Sequence, residues 1–167
     1  MVKKILLLGN SKLYEMSQLV DKEDINYIKE VIVDLHDTLI NFREQYGKGR
    51  AIAAPQIGVQ KRVLYMYITK PIVFVNPTLI FDDDDFMEVL DDCMSFPELL
   101  VKVRRHKRCR VQFKDINFID NEIKLEGDLS ELFQHEYDHL DGILATMKAI
   151  DNKSLCLKSQ ESVFKGD

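Results

Sequence analysis

Between Ile25 and Tyr46, apolar residues fall at Ile25, Ile28, Ile32, Leu35, Leu39, Phe42 and Tyr46, in alternating steps of three and four. Only an α-helix gathers such a series into one stripe, and a stripe that long must be covered by the rest of the chain. The spacing predicts a helix that starts after Asp21, a suitable N-cap followed by acidic residues, and stops at Gly47, which accepts left-handed backbone. The covering layer is read from the middle of the chain. RVLYMYI (62–68) and IVFVNPTLIF (72–81) are rich in β-branched and aromatic residues and read as strands. CRVQFKD (109–115) and EIKLEG (122–127) alternate apolar and polar residues across INFIDN, which predicts a hairpin. From Leu129 to Leu144 the spacing turns helical again, with Leu129, Leu132, Phe133, Leu140 and Leu144 as candidate core. A helix, then strands, then a helix makes an α+β chain. Its 167 residues suit one domain, 1–167, with a polar tail from about 152 that carries no assignment.

Bulk properties exclude several classes. A formal charge of −5 argues against a dedicated DNA or RNA binder. The apolar run Ile5–Leu8 follows two lysines but is too short for a signal peptide, and no stretch approaches a membrane span. Three cysteines without paired spacing do not make a disulfide framework. These features together point to the cytoplasm.

QHEYDHLDG (134–142) carries the chemistry. Residues four apart on a helix are rotated by only about 40°, so His135 and His139 project from one face toward a common metal ion. Glu136, beside the first histidine, is placed to exchange a proton with water at that ion. A catalytic centre needs a third protein ligand. Ala145 occupies the position where a metzincin protease would have its third histidine, so that class is excluded. Glu161 stands near the distance used by thermolysin-like peptidases, but in the polar tail without an apolar stripe to hold it. Cys93, in DDCMS, is the upstream candidate; taken alone, a lone cysteine is more often a small buried hydrophobe, and Cys109 and Cys156 keep that reading.

Three separated stretches, GRAIAAPQIG (49–58), DDCMS (91–95) and QHEYDHLDG (134–142), resemble in order and spacing the motifs of the peptide deformylases. ILLLGNSKL near the N-terminus resembles that family's first strand and turn, so the likeness runs from about residue 4 to 150. The resemblance implies antiparallel strands packed around a central H-E-x-x-H helix. It implies Cys93, His135 and His139 as metal ligands and Glu136 as general acid/base, with Gln56 and the Met94 N–H on the formyl oxygen. Gly49, Arg50, Ala51 and Leu132 fall where substrate is expected. The metal implied is Fe²⁺, with Zn²⁺, Ni²⁺ or Co²⁺ able to replace it. The reaction implied is removal of the formyl group from the N-terminal methionine of nascent polypeptides, with the ribosome surface as a further partner.

The chain also departs from the family pattern. Arg50 and Ala51 replace an apolar residue and a glycine, and Asp91 and Asp92 replace glutamate and glycine before Cys93. Asp128 and Glu131 add charge to the turn before the histidines. Two alternatives therefore stand beside the deformylase reading: a thermolysin-like zinc peptidase that uses Glu161, and a catalytically weak metal-binding relative blocked by Asp92. Asp138 reads either as a surface carboxylate or as a group that orients a ligand. FDDDDF (81–86) and RRHKR (104–108) read as a solvated turn and a solvated strand edge, and His36, off the apolar stripe, needs no function.

Overall fold

In the computed structural model, which describes residues 1–166, the apolar stripe forms helix α1, Ile25–Tyr46. Residue 167, the last of the expected domain, lies outside the described residues. Gly47 ends α1 at φ 67° with its N–H on Arg43 O. The buried face holds Ile28, Val31, Leu35, Thr38, Leu39 and Phe42, so it is rotated slightly from the expected stripe, and Tyr46 is exposed and stacked on Phe42. Asp21 starts a 3-10 turn, Lys22–Asp24, rather than α1 itself, because the Asp24 carboxylate accepts the Asp21 N–H and tightens the entry.

The strands are β1 (Ala51–Ala53), β2 (Val63–Tyr67), β3 (Pro71–Ile80), β4 (Phe86–Asp91), β5 (Leu99–His106), β6 (Arg108–Lys114), β7 (Asp120–Glu126) and β8 (Leu155–Leu157). Among the described residues they form two antiparallel sheets, β1-β2-β3-β6-β7 and β4-β5-β8. The expected hairpin is β6–β7, with Arg108 opposite Glu126 and Lys114 opposite Asp120. β3 tolerates Pro77 because its register with β6 shifts between Val75 and Thr78. At that irregularity Asn76 takes a positive φ of 48° and fixes it by bonding both the N–H and the C=O of Val20.

Helix α2, Asp128–Leu140, packs against β1, β2, β3 and β7 of the larger sheet and β5 of the smaller one. One apolar cluster joins α1 to β1 and β2 through Leu35, Leu39, Ile52 and Tyr65. A second joins the larger sheet to α2 through Phe74, Phe113, Phe133 and Leu140. A third gathers Leu13, Cys93, Phe96, Val101, Val103 and Leu144 beside the smaller sheet. The α+β expectation, with strands around a central H-E-x-x-H helix and a long helix before them, describes this architecture.

Local expectations need correction. α2 stops at Leu140, not Leu144, and Leu129 is exposed on its first turn while Leu144 is buried beyond its end. The stop is built by Gly142 at φ 71°, where a Cβ would come 2.5 Å from Tyr14 O, so the N-terminal segment crosses there. The stretch 4–8 is not a strand, because its amides reach carbonyls outside any strand: Leu6 N–H on Gln56 O and Leu8 N–H on Ser95 O. The unassigned tail supplies β8, paired with Leu99–Val101, and a short helix α3, Glu161–Phe164. FDDDDF is not simply solvated: Asp82 pairs with Arg110, Asp83 with Arg108, and Asp85 with both Lys107 and Arg108.

Candidate metal centre

Leu132, Phe133 and Leu140 anchor α2 in the second apolar cluster, and this sets how its histidine face meets the loop after β4. The motif glutamine, to which the sequence assigned no role, fixes the helix against β5. Gln134 Oε1 accepts the His106 N–H at 3.0 Å and its Nε2 donates to His106 O at 2.8 Å. Opposite, the turn after β4 carries Cys93, with the Ser95 and Phe96 amides on its sulfur and carbonyl.

Cys93, His135 and His139 are brought together: one ligand atom from each lies within 4.8 Å of the others, and all three residues are buried. Cys93 Sγ stands 3.3 Å from His139 Nε2. Among the described residues this is the one grouping of three or more potential ligands. Glu161 is not part of it; it opens α3 and bonds Lys165 one turn on. That removes the ligand on which the thermolysin-like alternative depended.

A divalent ion fits this donor set on observations of the protein itself. A thiolate and two imidazoles suit a tetrahedral or near-tetrahedral ion with an open position. Glu136 is buried beside them with Oε2 lacking any hydrogen-bond partner among the described residues, as a carboxylate awaiting water or substrate would be. Buried carboxylates rarely stay unsatisfied without a function.

The electrostatics follow from a buried network behind the ligands. His135 Nδ1 lies 3.1 Å from Asp91 Oδ2, an ion-pair contact off the line of a hydrogen bond, which leaves Nε2 for an ion. Asp91 is 1% exposed and Arg105 2%; Arg105 donates to Asp91 at 2.6 Å and to Asp138 at 2.5 Å, and Asp138 also pairs with Lys148. Burial alone would raise the Asp91 carboxyl, but His135, a hydrogen bond shared with Glu131, and Arg105 outweigh it and hold it well below the usual carboxylate range. Burial disfavours a charged His135, yet Asp91 and the Cys93 sulfur overcome that and raise its pKa well above the ordinary value. Burial, then the neighbouring His135, push His139 well below it. Burial lifts Glu136 to about 7, with Asp91 and Asp92 adding to the rise against the pull of His135. A carboxyl poised there exchanges protons efficiently near neutrality.

Asp138 is thus buried, and it is linked to His135 through two intermediaries, Arg105 and Asp91. Arg105 was missed because it sits inside RRHKR, which reads as a solvated strand edge. Its two carboxylates lie 14 and 33 residues away in sequence. The only local hint was alternation: Val103 and Arg105 share the inward face of β5.

The ligands open onto a cavity of about 590 Å³ lined by Gly49, Arg50, Ala51, Cys93, Met94, Leu132 and Glu136, among others. Every expected ligand and substrate-facing residue lines it except Gln56 and His139, which lie fully buried behind. Gln56 Oε1 accepts the Ala53 N–H at 2.9 Å, which turns Nε2 toward Cys93 Sγ (3.6 Å) and Ser95 Oγ (3.2 Å). Gly49, at φ 127°, passes so close to α1 that a Cβ would meet Phe42 at 3.2 Å, and Arg43 donates to its carbonyl. Neither Ala51 nor Asp92 has a positive φ, so neither replacement strains the backbone. Asp92 is turned to Lys48, 2.6 Å away.

The polypeptide deformylase family model matches residues 2–154. The chain belongs to the polypeptide deformylase family. It is 30% identical to the peptide deformylase of Thermotoga maritima over 94% of this chain and 93% of that one. To the peptide deformylase of Pseudothermotoga lettingae it is 36% identical over 86% of this chain and 81% of that one. The crystal structure of the Thermotoga maritima peptide deformylase superposes with a TM-score of 0.82 at 29% identity, covering 90% of this chain and 99% of that one. The chain is a deformylase-type hydrolase of a metal-dependent family, and neither alternative reading is favoured.

Proposed function

We propose that the chain, acting as one domain over 1–167, hydrolyses the N-formyl group from the N-terminal methionine of nascent polypeptides and releases formate. The observation that carries this reading is the convergence of Cys93, His135 and His139 beside a buried Glu136, whose Oε2 has no hydrogen-bond partner among the described residues, at the foot of an open cavity. In this reading Cys93, His135 and His139 hold one divalent ion, Fe²⁺ in the working enzyme, with Zn²⁺, Ni²⁺ or Co²⁺ compatible with the same donors. Such an ion supplies Lewis acidity, which polarises the formyl carbonyl and acidifies water toward neutral pKa.

The chain's own groups supply the rest. Glu136 takes a proton from the attacking water as oxygen bonds to the formyl carbon, then delivers it to the amine as the C–N bond breaks. The charge that grows on the formyl oxygen is met by Gln56 Nε2, already oriented by the Ala53 N–H, and by the Met94 N–H. Each well-aimed donor of this kind contributes roughly 3–4 kcal/mol to the transition state. Gly49, Arg50 and Ala51, at the start of β1, present main chain to an extended peptide, and Leu132 offers it an apolar surface.

Action on new chains places the protein in the cytoplasm, near the ribosome surface. The run 104–108 is a poor basis for an RNA contact, since Arg105 is buried and Lys107 and Arg108 are engaged by Asp85 and Asp83. The test is anaerobic purification, metal analysis, and formate release from formyl-Met-Ala-Ser alongside a casein digest. Formate release that tracks bound metal, with casein intact, is the expected result. Bound metal with neither activity would overturn the reading in favour of a non-catalytic metal-binding protein.

A further inference from the structure

The cavity above the cluster combines an apolar lining from Phe42, Ile68 and Leu132 with charged side chains. Arg43 is taken up by the carbonyls of Gly49 and Tyr67 and Lys48 by Asp92, leaving Arg50 and Glu131 as the polar pair beside α2 that an apolar side chain cannot satisfy. Glu131 lies one helical turn before His135, so both project from the same face of α2. Its side chain is only 12% exposed, its Oε2 is 3.8 Å from Arg50 Nη2, and its carboxyl shares one hydrogen bond with the buried Asp91 behind it, leaving the other oxygen for the cavity. Arg50 is held there from the other side by Asp128, in the first turn of α2. A formyl group presented to Cys93, His135 and His139 therefore puts the rest of its residue next to a carboxyl and a guanidinium.

We propose that Glu131, with Arg50, determines which first side chain the cavity prefers, and that it takes an amide-bearing side chain of glutamine type at least as well as methionine. A thioether offers one weak acceptor and no donor. On entering, it would strip water from Glu131 and Arg50 and return no hydrogen bond to the carboxyl. A side-chain amide of nearly the same length returns both, its NH₂ donating to Glu131 and its C=O accepting from Arg50. Sites that hydrogen-bond a substrate's polar group discriminate far more steeply than sites that only sense apolar volume. The apolar part of the lining still receives the methylenes common to the two side chains, so formyl-methionyl peptides remain substrates.

The inference rests on the deformylase reading, and the experiment separates the two. Metal-loaded protein is assayed for formate release from formyl-Met-Ala-Ser and formyl-Gln-Ala-Ser. Release from neither peptide overturns the deformylase reading and this inference with it. Release with kcat/KM for the glutamine peptide equal to or above that for methionine supports the inference; a kcat/KM higher for methionine overturns it and leaves the deformylase reading intact. Glu131→Leu should shift the ratio toward methionine by about 10- to 100-fold, mostly in KM; an unchanged ratio overturns the assignment to Glu131. Should Glu131→Leu fail to fold, Arg50→Leu carries the same test with a smaller shift in the same direction. A readout free of turnover is calorimetric titration of the metal-loaded Glu136→Gln variant with both peptides. Equal or tighter binding of the glutamine peptide is expected, and binding of the methionine peptide alone overturns the inference.

Discussion

The two sides of the cavity are built differently. Behind the ligands, Asp91, Arg105, Asp138 and His135 form a buried charged lattice, and Gln134 and Gln56 are each tied to main chain. Facing the substrate, Lys48–Asp92 and Arg50–Asp128 are half-exposed pairs on loop and helix-entry residues, with Asp92 48% exposed. A buried charge that loses its partner stays uncompensated in a medium of low dielectric, whereas an exposed one is rehydrated. The lattice therefore locks the proposed ligand His135 in place, while the rim is free to vary. The departures from the family pattern at 50, 51, 92 and 128 fall on the cavity side; Asp91 lies in the lattice, where it still reaches both His135 and Arg105, and Glu131 joins the two, lining the cavity while sharing a hydrogen bond with Asp91.

Substitutions on the two sides should break apart in size. Cys93→Ala removes one of three ligands and should abolish metal retention together with formate release; metal content after dialysis checks this, and stoichiometric retention would show another third ligand. Glu136→Ala should keep the metal and lose about 10²- to 10⁴-fold in kcat; activity within a few-fold of wild type would assign the proton transfer elsewhere. Arg105→Ala removes the buried cation shared by Asp91 and Asp138, leaving them only His135 and Lys148, and should cost about 3–5 kcal/mol of stability by urea denaturation. Because Asp91 then no longer holds His135 as firmly, metal affinity should fall as well, and a variant with wild-type stability and metal affinity would remove the lattice from the account.

How much of this was readable in the sequence depended on how local the cause was. α1 was legible because its burial follows a periodic stripe, and the β6–β7 hairpin because both strands alternate about a turn. The convergence of His135 and His139 was legible from their spacing on a helix, and that of Cys93 with them through the three ordered motifs. Arg105 was not, since nothing within RRHKR distinguishes an arginine that faces Asp91 and Asp138 from its solvated neighbours; only the packing of β5 against α2 does. β8 was hidden for a related reason. In Leu155-Cys156-Leu157 the cysteine faces inward and both leucines outward, so the local pattern carries no alternation of polarity to mark a strand. The segment at 4–8 is expected to be a strand from its likeness to the family's first strand, but its hydrogen-bonding partners are the carbonyls of Gln56 and Ser95 beside the site, and it braces that region rather than a sheet.

The smallest expected effect is the sharpest check on the contrast. Lys48 and Asp92 meet across the mouth of the cavity at 2.6 Å, a shorter contact than the 3.1 Å between His135 and Asp91 in the lattice. If distance alone set the strength of such contacts, Lys48→Ala would be costly. The Lys48 side chain is 27% exposed and Asp92 more so, and water and salt screen such a pair. Its loss should cost about 0.2–1 kcal/mol in urea denaturation, falling toward zero as salt is raised. KM for formylated peptides should change modestly, and kcat little, because the pair touches no ligand. A loss above about 2 kcal/mol, or one insensitive to salt, would mean that the mouth is as tightly built as the lattice, since only desolvated pairs behave in that way.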